Sequence, residues 1–243
     1  MAAIGGGSLS IVSAEDEGVW DSMAVMAAES WNKGSADELG SITREDLLPQ
    51  GVDIKSLTRE SAGDKFLTAA QTGLTDVLKE LYKTFKKEQR KDDNTSTENK
   101  EGENWLLHYK DEDGYTALHR ASYNGHLDTV QYLLSIGADL HSTTNDGWTP
   151  LHSAARWNKV AIVSLLLQNG ARINALTNGN QTPLHLASCN GVAKETIECL
   201  LLEEDCDLSV CNDKGETAQE LAQSYGKHSY LFEMRDESIE CII

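Results

Sequence analysis

Residues 146–158 read DGWTPLHSAARWN, with a histidine between two tryptophans. A histidine that occurred once in such a setting would suit a catalytic or metal site. This one recurs. DGYTALHRASYNGH begins at Asp113 and GNQTPLHLASCNGV at Gly179, so the three stretches are spaced by 33 and 33 residues. Thr116, Thr149 and Thr182 fall in register, as do His119, His152 and His185. A second block keeps the same phase: VQYLLSIGADLH, VSLLLQNGARIN and IECLLLEEDCDLSV. Self-similarity at a fixed period of this length is the mark of a repeat architecture. A further unit, DKGETAQELAQSYG, carries Thr217 35 residues after Thr182 and lacks both the proline and the histidine. Its two extra residues are expected in the Glu203–Asp207 region. Upstream, AAQTGLTDVLKELY aligns Ala69 with Ala121, Gly73 with Gly125 and Leu81 with Leu133, at a distance of 52 residues. The excess over one period falls around KKEQRKDDNTSTENKEGE, which reads as a charged, solvated insertion, placed at 83–104, or as a longer exposed helix that frays.

Each unit reads as two helices and a turn. Thr149 before Pro150, and Thr182 before Pro183, place a capping hydroxyl ahead of a proline at the first helical position. Leu151, Ala154 and Ala155 form the inner stripe of a short helix. Val163, Leu166 and Leu167 give a second helix its apolar face. Gly137 and Gly170 end that second helix by tolerating a left-handed cap. The turns NDGW and NGNQ are expected to project as hairpin-like fingers.

The pattern resembles the ankyrin repeat, whose signature is Thr-Pro-Leu-His-x-Ala at a period of 33 residues. TPLHSA and TPLHLA match it fully, TALHRA lacks the proline, and degenerate units flank the three. The resemblance covers roughly residues 61–236 and implies an all-α ankyrin-repeat solenoid. The units are expected near 65–110, 111–143, 144–176, 177–211 and 212–236, followed by a tail at 237–243. Residues 1–60 hold no repeat and read as a largely disordered acidic arm.

Repeat geometry sets the role of the histidines. Stacked helices lie about 8–10 Å apart, so His119, His152 and His185 are too far apart to ligate one zinc ion at about 2.0–2.1 Å each. A catalytic histidine needs a nucleophile and an orienting carboxylate at one place. A residue present once per unit is a scaffold part, and the resemblance implies that it hydrogen-bonds the turn backbone beside the threonine. Thr116, His119, Thr149, Pro150, His152, Thr182, Pro183 and His185 are therefore structural, and losing the His152 side chain should cost about 1–2 kcal/mol. No Walker loop, G-x-G-x-x-G or H-E-x-x-H is present, so no catalytic residue, cofactor or metal is expected.

The resemblance further implies that the finger positions and the end of each first helix read the partner on a concave surface. Here they are Asp113, Tyr115, Tyr123 and Asn124, then Asp146, Trp148, Arg156 and Trp157, then Gln181, Cys189 and Asn190. Tyr, Trp and Arg dominate binding hot spots. Tyr115 above Trp148 would make an aromatic ladder, with Arg156 adding a cation–π contact. The competing reading is that Tyr115 and Trp148 pack against adjacent fingers and that Trp157 wedges against the next helix pair.

Composition limits the partner. The 243 residues carry 39 Asp and Glu against 21 Lys and Arg, a net charge of −18. Phosphate backbones are repelled, so direct nucleic-acid binding is not expected. Another protein is, with basic proteins favoured at long range. The N-terminus reads as no secretory signal, and no apolar run approaches a membrane span. The expected setting is nuclear and/or cytoplasmic, the chain a monomer, its five cysteines reduced. A resemblance to one particular member of that family also implies a nuclear, regulatory setting, in gene expression during differentiation. Within the arm, VWDSMAVMAAESW has apolar residues at helical spacing. It reads either as a segment that folds into a partner's groove, in the manner of a transcription-activating effector, or as a cap on its own stack. KTFKKEQRK is a weak nuclear-import pattern or a solvated helix face.

Overall fold

The computed structural model describes residues 42–51, 53–89, 105–225 and 228–234. The VWDSMAVMAAESW segment, the charged residues 90–104 and the tail 237–243 lie outside them. From Thr43 onward the chain forms one compact unit. Its helices are α1 Arg44–Leu47, α2 Arg59–Thr72, α3 Thr75–Gln89, α4 Trp105–His108, α5 Ala117–Asn124, α6 Leu127–Ser135, α7 Pro150–Arg156, α8 Val160–Gln168, α9 Pro183–Ser188, α10 Lys194–Leu201 and α11 Ala218–Tyr225. A last helical turn spans 230–234.

The helices form two layers. The first helices α2, α5, α7, α9 and α11 pack each on the next, and the second helices α3, α6, α8 and α10 do the same behind them. Alanine makes the first layer tight: Ala69, Ala121, Ala154, Ala155 and Ala187 are wholly buried, and a side chain this small lets helix backbones approach. The second layer supplies bulk, with Leu81, Leu133, Val163, Leu166, Ile197 and Leu200 at or near zero exposure. No unit could bury its own apolar face, so the core exists only through stacking.

Between units the chain runs through a finger. Gly147 N–H donates to the Thr144 carbonyl at 3.0 Å, and Thr144 N–H donates to the Trp148 carbonyl at 2.9 Å. The finger is thus closed like a hairpin without paired strands; the described residues hold a single isolated bridge, Cys211 with Thr217. Adjacent fingers are joined tip to tip, Asn145 N–H to the Asp113 carbonyl at 3.0 Å and Asn178 N–H to that of Asp146 at 2.9 Å.

Three expectations need correction. The arm does not extend to residue 60, because Leu47 and Leu48 are buried, Lys65 Nζ donates to the Leu47 carbonyl at 2.5 Å, and Arg44 pairs with Glu80 at 2.7 Å. The insertion does not begin at 83, because α3 continues to Gln89 and buries Phe85 edge-on to Trp105 at 5.7 Å. Nor do both extra residues of the fourth step fall at Glu203–Asp207. The buried pairs Val130/Leu133 and Val163/Leu166 stand 14 and 17 residues after their threonines, whereas Ile197/Leu200 stand 15 and 18 after Thr182. One extra residue therefore lies in the loop before α10, and that loop puts Val192 into solvent, 71% exposed.

Candidate functional site

The histidines form an identical clamp in each full unit. Thr116 N–H donates to His119 Nδ1 at 3.2 Å, Thr149 N–H to His152 Nδ1 at 3.1 Å, and Thr182 N–H to His185 Nδ1 at 3.2 Å. A backbone N–H can only donate, so Nδ1 must be bare and the proton sits on Nε2. Each threonine Oγ then donates to the same Nδ1, at 2.9, 2.8 and 2.7 Å. From the far side of the ring, Nε2–H reaches the next finger: the Trp148 carbonyl at 2.9 Å, that of Gln181 at 3.1 Å and that of Glu216 at 3.2 Å. The second ring nitrogen thus ties one unit to the next, a bond between units that the motif alone did not disclose. Burial pushes His119 and His152 down to about 4, and lowers His185 as well. All three rings are neutral at physiological pH, and their nitrogens are fully engaged.

The residues expected to read a partner divide into two sets. Asp113 and Asp146 are exposed at finger tips. Trp148 and Gln181 are half-buried, with carbonyls taken by the histidines. Tyr115 is only 7% exposed. Its ring meets His119 edge-on at 5.7 Å and lies under the Arg120 guanidinium, so it belongs to the core and not to an exposed ladder with Trp148. Asn124 donates to the Arg120 carbonyl at 3.0 Å and Asn190 to that of Arg156 at 2.8 Å, so both amides serve the backbone. Cys189 is half-buried beside Asn190.

The aromatic pair that does reach solvent spans two units at the ends of α5 and α7. Tyr123 and Trp157 meet at 4.9 Å between ring centroids, with planes 61° apart. Trp157 is 37% exposed, and the Arg156 guanidinium lies 5.7 Å from its ring centre. Among the described residues no group of three His, Cys, Asp or Glu side chains could hold a metal ion, and no helix is long and apolar enough to cross a membrane.

Residues 43–177 match the family model Ankyrin repeats (3 copies), and residues 179–213 match Ankyrin repeat. The chain belongs to the ankyrin repeat family. It is 61% identical over 132 residues to ankyrin repeat domain-containing protein 49 of Bos taurus, which covers 54% of this chain and 56% of that protein. It is 62% identical over 125 residues to the Homo sapiens protein of the same name, covering 51% and 52%. The chain therefore spans about half the length of the curated relatives it matches. Ankyrin repeats are protein–protein interaction modules, and no catalytic domain is indicated.

Several residues of this ankyrin stack escaped the sequence reading. Asn158 has φ of 53°, where the preceding unit has Gly125 at 91°. Its amide donates to the Val192 carbonyl at 2.9 Å and its oxygen accepts from Thr196 Oγ1 at 2.8 Å. The side chain thus staples two units. Lys159 lays its aliphatic stem against Gly125, where an added Cβ would come within 3.0 Å of the lysine Cδ. Arg120 pairs with Asp111 and donates to Gln71 Oε1 at 3.3 Å, which couples the first unit to the second. The one signal available in advance was Asn at a left-handed position otherwise held by Gly, since Asn tolerates that region best of the remaining residues.

Proposed function

We propose that the chain is a non-catalytic adaptor that holds a partner protein on the face formed by the ends of its first helices, and that it acts as a monomer in the nucleus and/or cytoplasm. The observation that carries this is the Tyr123–Trp157 pair. Trp157 stays 37% exposed although its ring already contacts Tyr123 and the Arg156 guanidinium. A rigid aromatic with an open face gives large contact area at small entropic cost. The role we propose, control of gene expression during differentiation, rests on the resemblance to ankyrin repeat domain-containing protein 49. The acidic N-terminal segment as a transcription-activating effector is the second reading, carried by the VWDSMAVMAAESW pattern alone.

The test is affinity capture with the full chain and a Trp157→Ala variant whose urea midpoint matches the parent. Proteins retained by the parent and lost by the variant place the contact at Trp157. If both retain the same set, this face is not the contact surface. Reporter activation by residues 1–41 alone would support the effector reading.

A further inference from the structure

Three segments meet around Trp157: residues 120–125, which end α5; residues 156–159, which end α7; and residues 189–193, the loop before α10. They touch through Tyr123 on Trp157, Lys159 on Gly125, and the Asn158 amide on the Val192 carbonyl at 2.9 Å. Two features set this patch apart. It is apolar where it is open: Trp157 is 37% exposed and Val192 71%, with Val192 brought out by the extra residue in its loop. It is also locally basic. The three segments hold Arg120, Arg156 and Lys159 and not one Asp or Glu, in a chain with 39 acidic residues against 21 basic.

Two of the three cations form no ion pair among the described residues. Arg120 is engaged by Asp111. Neither Arg156 nor Lys159 has a carboxylate within ion-pair distance among the described residues. The arginine charge is felt at Tyr123: burial holds its hydroxyl above its ordinary range, and the charges of Arg120 and then Arg156 pull it the other way. In a strongly acidic chain, two half-buried cations beside an exposed aromatic are a complement awaiting its counterpart.

We propose that this patch takes an acidic segment of another protein, with an apolar side chain seated on Trp157 and Val192 and flanking carboxylates paired with Arg156 and Lys159. The assignment rests on the adaptor reading of the same face and adds the chemistry of the partner. It also runs against the whole-chain charge, which attracts basic proteins at long range. Local complementarity selects the docked segment, and the surrounding carboxylates reject acidic chains that lack the apolar anchor.

The experiment is a phage-displayed library of random 12-residue peptides panned on the full chain, with counter-selection on folded Trp157→Ala. Enriched peptides are then synthesised and measured by fluorescence anisotropy against the parent, R156E/K159E and R156Q/K159Q, each first matched to the parent in urea midpoint. The expected result is enrichment of Leu, Phe or Trp flanked by Asp and Glu. Binding should weaken about tenfold or more in R156E/K159E, less in R156Q/K159Q, and fall with added salt. Trp157-dependent peptides that are neutral or basic, or acidic ones indifferent to charge reversal, would overturn the proposal and leave the adaptor reading standing. Absence of any Trp157-dependent peptide would remove both.

Discussion

Acidification from pH 7.0 to 5.5 should cost this fold about 2 kcal/mol through two buried histidines, by the linkage between proton binding and stability. His119 and His152 are wholly buried, and burial pushes each to about 4 from an ordinary 6.5. Their acceptor nitrogens are filled by threonine N–H and O–H donors, so a proton can enter only by breaking the clamp. The unfolded chain meets no such barrier. Below about pH 6.5 it binds protons that the native state refuses, and the equilibrium moves toward unfolding. The loss starts as pH falls below about 6.5 and is complete near 4, where the folded rings accept a proton. Each ring contributes about 1 kcal/mol between pH 7.0 and 5.5, and His185, lowered in the same direction, adds to the pair. Against a total of about 5–15 kcal/mol this is a large change.

Urea unfolding followed by far-ultraviolet circular dichroism at the two pH values measures it. The window matters because ordinary carboxylates titrate near 4 and stay charged down to pH 5.5, so carboxylate protonation does not enter. His152→Ala removes one of the two rings and should roughly halve the pH-dependent loss. At pH 7 it should itself cost about 2–3 kcal/mol, because the buried Thr149 N–H and hydroxyl both lose their acceptor and the Gln181 carbonyl, left with the Thr177 N–H alone, loses its bond to the preceding unit. That exceeds the 1–2 kcal/mol expected from the motif, which showed only one of the two bonds. Coincident unfolding curves at pH 7.0 and 5.5 would refute the reasoning, as would an unchanged pH-dependent loss in His152→Ala.

Further outcomes follow from the same geometry. Ser122 and Ser188 bury hydroxyls without a partner at the position where the middle unit carries Ala155, so Ser122→Ala and Ser188→Ala should each raise stability by about 1 kcal/mol in thermal melts. Asn158→Ala should cost about 2–3 kcal/mol, for a strained left-handed backbone and two lost bonds between units. Asn158→Gly should cost about 1 kcal/mol less, because glycine keeps the backbone and loses only the staple. Asp111→Asn leaves the Arg120 guanidinium without its counter-charge at a site where both side chains are more than four-fifths buried. It should lower stability by about 2–3 kcal/mol in urea melts, with protection lost first in α2 by hydrogen exchange.

What the sequence disclosed was whatever repeats. The Thr–x–x–His spacing and the buried leucines recur at the repeat period, so they average over units and stand out from any one of them. The features it concealed are those that break the period. Tyr115 and Trp148 occupy equivalent positions, yet one is core and the other half-open, because Arg120 closes over the Tyr115 ring and the middle unit has Ser153 there. The extra residue before α10 could not be placed by counting, since a shift of 35 residues is equally consistent with either end of the helix. Only the burial of Ile197 and Leu200 fixed it. Residues 43–60 showed no repeat signature, and their packing through Leu47, Leu48 and Lys65 depends on neighbours far along the chain.

The histidine missing from the last unit has a physical cause. A clamp histidine has two duties, to receive the threonine donors and to grip the finger that follows. His185 grips the Glu216 carbonyl, which belongs to the final finger. Beyond Thr217 no further finger is present among the described residues, so the second duty lapses and an acceptor alone suffices. Glu220 stands three residues after Thr217, where the other units have histidine, and takes Thr217 N–H at 2.7 Å and its hydroxyl at 3.0 Å. Those bonds hold its carboxyl below the usual range. A carboxylate can serve there because the position is exposed; in the middle of the stack it would be a buried charge facing a carbonyl, which repels it. Glu220→His should therefore be near neutral for stability at pH 7, whereas His152→Glu should unfold the chain. If His152→Glu melted like the parent, the grip on the following finger would not be what selects histidine.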